Sequence, residues 1–478
     1  MNDKMQGATE KLADWVVEAD YSSIPQRAID LAKERILDMV GVCLAGAKDP
    51  DSAGVRSVEV VRELGGNPVS TVLGSGFKTN SVAAAFANGA SASALDICDT
   101  IPFPENHLSS CLVPSILAVG EEVNASGKDV LAAYVLSYET AVRIGWDMSG
   151  DVYWRRGFHP CNTWGCFATT AASARLLHLS RDDLRSAWGV VTGTAGGIRS
   201  AYGTMAKPLL AAFSARNGVL AAKLAKKGVT GNRNVLERDP EARPTAHMFF
   251  SFPVVFAGPG KVDVSKLTEG LGEIWNLVIR PPTEKFHPGV SATFIDLILD
   301  MVKEHKIVPQ AVDRVDFYGT PINMDTSIKF TYPQESDAAR YSIWYALAVA
   351  LLDGEVGIKQ HRLERLSRND VGEMMQKIHG HEIEGLHTDI YSSGDISDIY
   401  DAQITIRLKD GKEHSGKRSR AKGDWREPLQ REDLLNKYRT CAREALSDED
   451  VERSIALLEQ LDELPNLRAL MNILICSP

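Results

Sequence analysis

Residues 81–110 read SVAAAFANGASASALDICDTIPFPENHLSS. The first half is nearly all Ala, Ser and Gly, the composition of a buried helix whose neighbours can approach its axis closely. The second half ends in two carboxylates, a threonine and, beyond a proline-interrupted turn, a histidine. A packing element that finishes in titratable groups needs a destination for them, and a cleft that receives a charged ligand supplies one.

The same texture extends outward. PQRAIDLAKERILDMVGVCLAG (residues 25–46), KDVLAAYVLSYETAVRIGWDM (128–148), TWGCFATTAASARLLHLS (163–180) and RDDLRSAWGVV (181–191) carry apolar residues at three- and four-residue spacing. A large all-helical domain over residues 1–270 is expected. In residues 279–286, IRPPTEKF, adjacent prolines break any helix and the texture changes. Beyond them come a helix (SATFIDLILDMVKEH), a strand (VDRVDFY), a second helix (AARYSIWYALAVALLDG) and AQITIRLKDGKEHSGK, whose Asp410-Gly411 pair favours a hairpin. A smaller α+β lid domain over 271–427 fits this order. Amphipathic helices in 428–478 are expected to pack back on the first domain. The fold class is therefore mainly α.

Composition narrows the function. With 63 acidic against 53 basic residues the formal charge is -10, which argues against a nucleic-acid surface, because phosphate recognition needs a concentrated positive face. Small anionic ligands stay open, since local charge can oppose the global sign. The seven cysteines show no C-x-x-C pairing and read as reduced core thiols. No signal-like N-terminus and no apolar run of membrane length is present, so a cytoplasmic protein with no membrane partner is expected.

Three clusters offer chemistry. On a helix, Asp96, Asp99 and Thr100 would share a face, with His107 following on a loop and Ser109 or Ser110 capping the next helix. The same groups would also serve as plain caps and turn formers. In WRRGFHPCNTWG (residues 154–165), Pro160 holds His159 extended, and Arg155 and Arg156 could fork onto a carboxylate. In GTAGGIRSAYGTMAKPLLAAFSARNG (193–218), Lys207 before Pro208 is a candidate fixed cation. The segment lacks the G-K-[ST] ending and the preceding strand of a nucleotide-binding loop. His379, His381, Glu382 and His387 do not match H-E-x-x-H, so no metal is expected. No cofactor is expected, and no cysteine lies in a recognisable nucleophile context.

Taken together, LDICDT, HLSSCLVPSILAVGE, GFHP, YGTMAKP, SARNG and the EP…EDLLNKY run resemble the MmgE/PrpD family, in the right order over roughly residues 11–446. The resemblance implies a helical domain with an α+β lid, a homodimer, and dehydration, decarboxylation or epimerisation of small carboxylates. The His107 loop spacing and the TMAKP…SARNG run are most similar to the epimerase branch. It also implies that Asp96, Thr100, His107, His159 and Lys207 line one pocket. His107 or His159 would move a proton, Lys207 would stabilise the developing anion, and Asp96 would orient one of them. Substrate contacts are expected from Thr100, Ser109, Arg155, Lys285 and Tyr332.

The chain departs from the family pattern at several points. D-x-D-D is Asp96-Ile97-Cys98-Asp99, H-P-S is His107-Leu108-Ser109, and P-x-C is Pro288-Gly289-Val290. A family tyrosine is replaced by Phe330, with Tyr332 two residues on. The first reading is a cofactor-independent lyase, dehydratase or decarboxylase, of a small di- or tricarboxylate. The second is an epimerase or racemase with His107 and His159 flanking one carbon, and the third a catalytically silent carboxylate-binding protein.

Overall fold

Small residues decide how the helices cross. In the computed structural model, which describes residues 7–237, 251–258, 261–383 and 401–476, the run opening the quoted stretch forms the helix Ser81–Ser93, capped by Asn80, whose side chain accepts from the Ala83 N–H. A Cβ on Gly46, at the end of the helix Gln26–Gly46, would lie 2.0 Å from the Ser91 carbonyl oxygen. One on Gly89 would lie 2.9 Å from Ala212 Cα, within the helix Ala206–Lys226. Both crossings therefore require glycine, and the loss of side-chain volume is recovered as backbone contact.

Around this centre pack Ser109–Glu122, Gly127–Met148 and Gly165–Leu176. Their shared core runs from Leu12 to Leu277 and resumes at Leu434–Leu474. The tail helices Arg431–Ala442 and Asp448–Glu459 thus belong to the first core, and Lys437 joins it through a 2.7 Å ion pair to Asp38.

A second core extends from Phe294 to Ile406. Its sheet has the order Ile378–Glu382, Val312–Gly319, Ala402–Leu408, Glu413–Arg418; the first pairing is parallel and the others antiparallel. Val315, Phe317, Ile404 and Ile406 turn inward in strict alternation, toward the helices Ala292–His305 and Ile343–Asp353. Asp410 and Gly411 do form the hairpin turn, with Gly411 at φ 87.

A backbone bridge and a buried ion pair are among the links between the cores. The Thr283 N–H donates to the Thr100 carbonyl at 2.7 Å and the Thr100 N–H to the Thr283 carbonyl at 2.9 Å. Buried Arg340 pairs with Asp49 at 3.1 Å and Asp337 at 3.4 Å.

Three expectations about local structure are corrected. The helix ends at Ser93, so Asp96, Asp99 and Thr100 sit on the loop that follows, with Asp96 left-handed at φ 56. The next helix is preceded by Leu108, and the serines do not cap it: Ser109 Oγ donates to Asp99 and Ser110 Oγ to the His107 carbonyl. Residues 338–354 are not one helix either. Ser336–Ala339 ends first, and Ser342 caps Ile343–Asp353 by accepting from the Tyr345 N–H, which leaves Arg340 and Tyr341 in the break. All seven cysteines are free, and all but Cys476 are buried. Among the described residues no helix is long and apolar enough to cross a membrane.

Candidate active site

A cavity of about 590 Å³ opens where the two cores meet. Asp96, Thr100, Glu105, His107, Arg199 and Tyr202 line it from the first core. Lys285, Gly289, Asn323 and Tyr341 complete the wall. A larger cavity of about 1030 Å³ adjoins and shares Thr100, Lys285 and Gly289, but Asp96 and His107 do not line it. The smaller one holds the acid–base groups, and the chemistry is assigned there.

Lys207 lies in the first turn of Ala206–Lys226, buried, and its ammonium donates to the Asp96 carboxylate. Burial pulls the Lys207 pKa down, but Asp96 outweighs it and the ammonium is held well above its usual range. Burial likewise raises Asp96, and the Lys207 and Lys285 charges reverse this and leave it lowered. Both members are therefore ionised. Asn and Asp are among the few side chains that tolerate φ near 56, so the backbone and the charge at position 96 both favour Asp.

His107 Nδ1 is 3.3 Å from the Asp99 carbonyl oxygen and 3.0 Å from Thr100 Oγ1. A carbonyl only accepts, so the proton is assigned to Nδ1 and the lone pair to Nε2. Burial, then the Lys285 and Lys207 charges, then His159, hold His107 neutral, well below the usual imidazole range. His159 has the complementary tautomer, because its Nδ1 accepts from the Cys161 N–H at 3.3 Å and its Nε2 carries the proton. The two rings are 6.4 Å apart at 24°. His159 packs its ring against Tyr202 and lies behind the wall, not in it. Burial, followed by Lys207 and Arg199, keeps it neutral too.

Lys285 is 8% exposed, and among the described residues no carboxylate lies within ion-pair distance of it. Tyr202 and Tyr341 stack at 5.2 Å. Burial raises Tyr202 to about 12 and Tyr341 well above its usual value, so both hydroxyls stay protonated as donors. Phe330 is the buttress beneath them. Its ring covers Gly203, which is at φ 76 and has no room for a Cβ, and packs 5.7 Å from Tyr341. Val290 lines the cavity as an apolar patch.

The structure therefore brings together Asp96, Thr100, His107 and Lys285 in the wall, with Lys207 and His159 directly behind. It separates others from the site. Ser109 is fully buried, spent on Asp99 at 2.6 Å and Tyr134 at 2.8 Å. Arg155 is exposed and paired with Asp151 at 2.5 Å on its own helix turn. Tyr332 is 60% exposed and lines a different cavity, with Pro333 and Leu363. His379 and His381 share one face of a strand and Glu382 falls on the other; His381 meets Asp316 at 2.8 Å, while His387 lies outside the described residues. Among the described residues no group of three or more His, Cys, Asp or Glu could hold a metal ion.

Glu105, Arg199, Tyr202 and Tyr341 are site residues that the sequence reading did not single out. Arg199 and Tyr202 sit inside the glycine-rich segment 193–218, where the glycines themselves were the available signal: they let the loop turn its long side chains inward.

Residues 10–242 match the MmgE/PrpD N-terminal domain and residues 288–463 the MmgE/PrpD C-terminal domain. The cis-aconitate decarboxylase of Mus musculus is 26% identical over 480 residues, covering 98% of this chain and 94% of that protein. That of Aspergillus terreus is 26% identical over 491 residues, covering 98% and 96%. A cis-aconitate decarboxylase-like protein of Aspergillus oryzae, oryM, is 34% identical over 238 residues, covering 48% of this chain and 49% of its own.

Proposed function

Since the chain belongs to the MmgE/PrpD family, we propose that it is a lyase of a small polycarboxylate, acting first of all by loss of carbon dioxide. The observation that carries this reading is the meeting of neutral His107, the Lys207–Asp96 pair and the unmatched Lys285 on one cavity. The similarity over nearly the whole chain to proteins named cis-aconitate decarboxylase supports it.

The chemistry follows from charge. When the C–C bond to the departing carboxylate breaks, its electron pair moves into the neighbouring unsaturated carboxylate, and an anion gains further negative charge. Fixed cations and donors that need not reorganise stabilise that state best. Lys285, Lys207 and the Tyr202 and Tyr341 hydroxyls are such groups. The carbon must then receive a proton. Burial first, and the Lys285 and Lys207 charges second, keep His107 neutral; an anionic substrate offsets those charges and so favours a proton on Nε2, which His107 then delivers to carbon. Thr100 and the Asp99 carbonyl hold the ring in register through Nδ1. Dehydration would use the same cations, with neutral His107 Nε2 taking the proton α to a carboxylate and the adjacent hydroxyl leaving as water on that proton.

A panel of cis-aconitate, methylcitrate, citrate, tartrate and iminodisuccinate analogues in deuterated water, followed by NMR, tests this. The expected outcome is carbon dioxide release with one deuterium at the protonated carbon. Exchange at the α-carbon without elimination would make it an epimerase, and binding without turnover a silent carboxylate receptor. A homodimer and a cytoplasmic location are also proposed, and are tested by sedimentation and by cell fractionation.

A further inference from the structure

We infer that a further cavity, set back to back with the active cavity, is a second ligand site, and that it takes a small neutral molecule, mostly apolar, with one hydrogen-bond donor. The inference goes beyond the lyase reading and does not depend on it.

This cavity, of about 780 Å³, lies against the tail helix Arg431–Ala442, and no residue lines both it and the active cavity. The same chain segments nevertheless wall the two spaces. Leu95 and Ile97 face it from either side of Asp96, Pro288 precedes Gly289, and Arg340 precedes Tyr341, so the backbone deals its side chains alternately to the two spaces. Leu95, Ile97, Phe286, Pro288, Val356 and Ile358 make most of the exposed wall apolar. Such walls with a few convergent polar groups are the usual form of a small-molecule site.

A buried acceptor in the wall lacks a donor. His361 is 6% exposed, and its Nδ1 lies 3.1 Å from the Gly357 carbonyl oxygen, which only accepts, so the proton is on Nδ1. That leaves a lone pair at Nε2, to which no described residue donates. Burial and then Arg340 lower the ring to about 3, so at neutral pH it does not meet this need by taking up a proton. Nor does the wall call for an anion. Arg340 is matched by Asp49 and Asp337, and Lys437 by Asp38 at 2.7 Å. Burial lowers His287, the second imidazole of the wall, to about 4, so it adds no charge at neutral pH. Apolar surface, an unmet acceptor and balanced charge are together complementary to a neutral ring system that carries a hydroxyl or an N–H.

Calorimetric titration of the full-length protein with β-naphthol, β-naphthyl methyl ether and β-naphthoate tests this. β-Naphthol should bind saturably. The ether, which lacks the donor, and the naphthoate, which brings a charge, should each bind about tenfold more weakly. H361N keeps an N–H for the Gly357 carbonyl and removes the acceptor, so it should weaken β-naphthol about tenfold and leave the ether within about twofold. T440W, at an exposed position of the same wall, narrows the space and should weaken all three. Melting midpoints report which variants fold, and where H361N does not, T440W and the wild-type comparison of naphthol with ether decide. No saturable binding of β-naphthol, an ether or a naphthoate that binds as tightly, or an unchanged β-naphthol affinity in every folded variant would overturn the proposal.

Discussion

Lys207 and Asp96, separated by 111 positions in the chain, form one buried ion pair that ties a left-handed loop residue to the first turn of a helix. Such a pair has two separable consequences. Replacing Lys207 by Met leaves Asp96 charged and unpaired, a defect worth about 3–5 kcal/mol. It also removes a cation from the charge-stabilising set, for which a loss of roughly a hundred- to a thousandfold in kcat is expected. The double variant D96N/K207M removes both charges, so it should recover much of the stability and none of the turnover. Denaturant midpoints and kcat measured on both variants decide this, and recovery of activity along with stability would reduce the pair to a structural role.

His107 and His159 have unequal positions, and their substitutions should have unequal effects. His107 lines the cavity with a free lone pair at Nε2, whereas His159 backs it at 6.4 Å and presents Nε2–H. H107Q should lower kcat by about 10²–10⁴, the range for a positioned proton-transfer group. H159Q should cost about tenfold or less, through the packing of Tyr202 and His107. The check is solvent deuterium incorporation beside turnover: label transfer should vanish in H107Q and persist in H159Q.

Tyr341 faces the cavity beside Tyr202, whereas Tyr332 does not. Removing the Tyr341 hydroxyl, a buried donor aligned with Tyr202, should cost about 10²-fold in kcat/KM. Y332F, at a position 60% exposed and outside the cavity, should stay within about twofold of wild type. Steady-state kinetics on the two variants separates them, and the reverse ranking would return the role to Tyr332.

These pairings also show what could be read in the chain. Helical texture, the break at the adjacent prolines, the strand 312–318 and the Asp410-Gly411 hairpin were all legible, because periodicity and turn chemistry are local properties. Asp96, Thr100, His107 and Lys207 were reachable through short motifs. What was lost depends on backbone geometry. The apolar run 338–354 looks like one helix, and only the cap at Ser342 reveals the break that frees Tyr341. Asp96 and Thr100 were placed on a helix because nothing in LDICDT announces a left-handed residue. Arg155 looked like a carboxylate fork, but its helix turn supplies Asp151 first.

Acid should destabilise the fold through a second pair of histidines, His287 and His361, which line a cavity between the cores. Burial and then Lys422 lower His287 to about 4, despite Asp296 at 3.7 Å; burial and then Arg340 lower His361 to about 3. The unfolded chain takes up these protons from its ordinary value of 6.5 downward, while the folded protein refuses them until near pH 4 and 3. Their contribution is therefore complete above 6.5 and lost progressively as pH falls. At about pH 5 the loss is roughly 2 kcal/mol for each. Asp99, raised to about 6, and Glu139, raised to about 7, both mainly by burial, work the other way and offset on the order of 1 and 2 kcal/mol, while His107 and His159, held well below their usual range mainly by burial, add to the loss. Urea midpoints at about pH 7.5 and 5 should therefore fall on acidification, and H361Q should flatten the drop by about the share of one histidine. An unchanged slope in H361Q would mean that this imidazole is already protonated in the native state, against the Arg340 charge beside it.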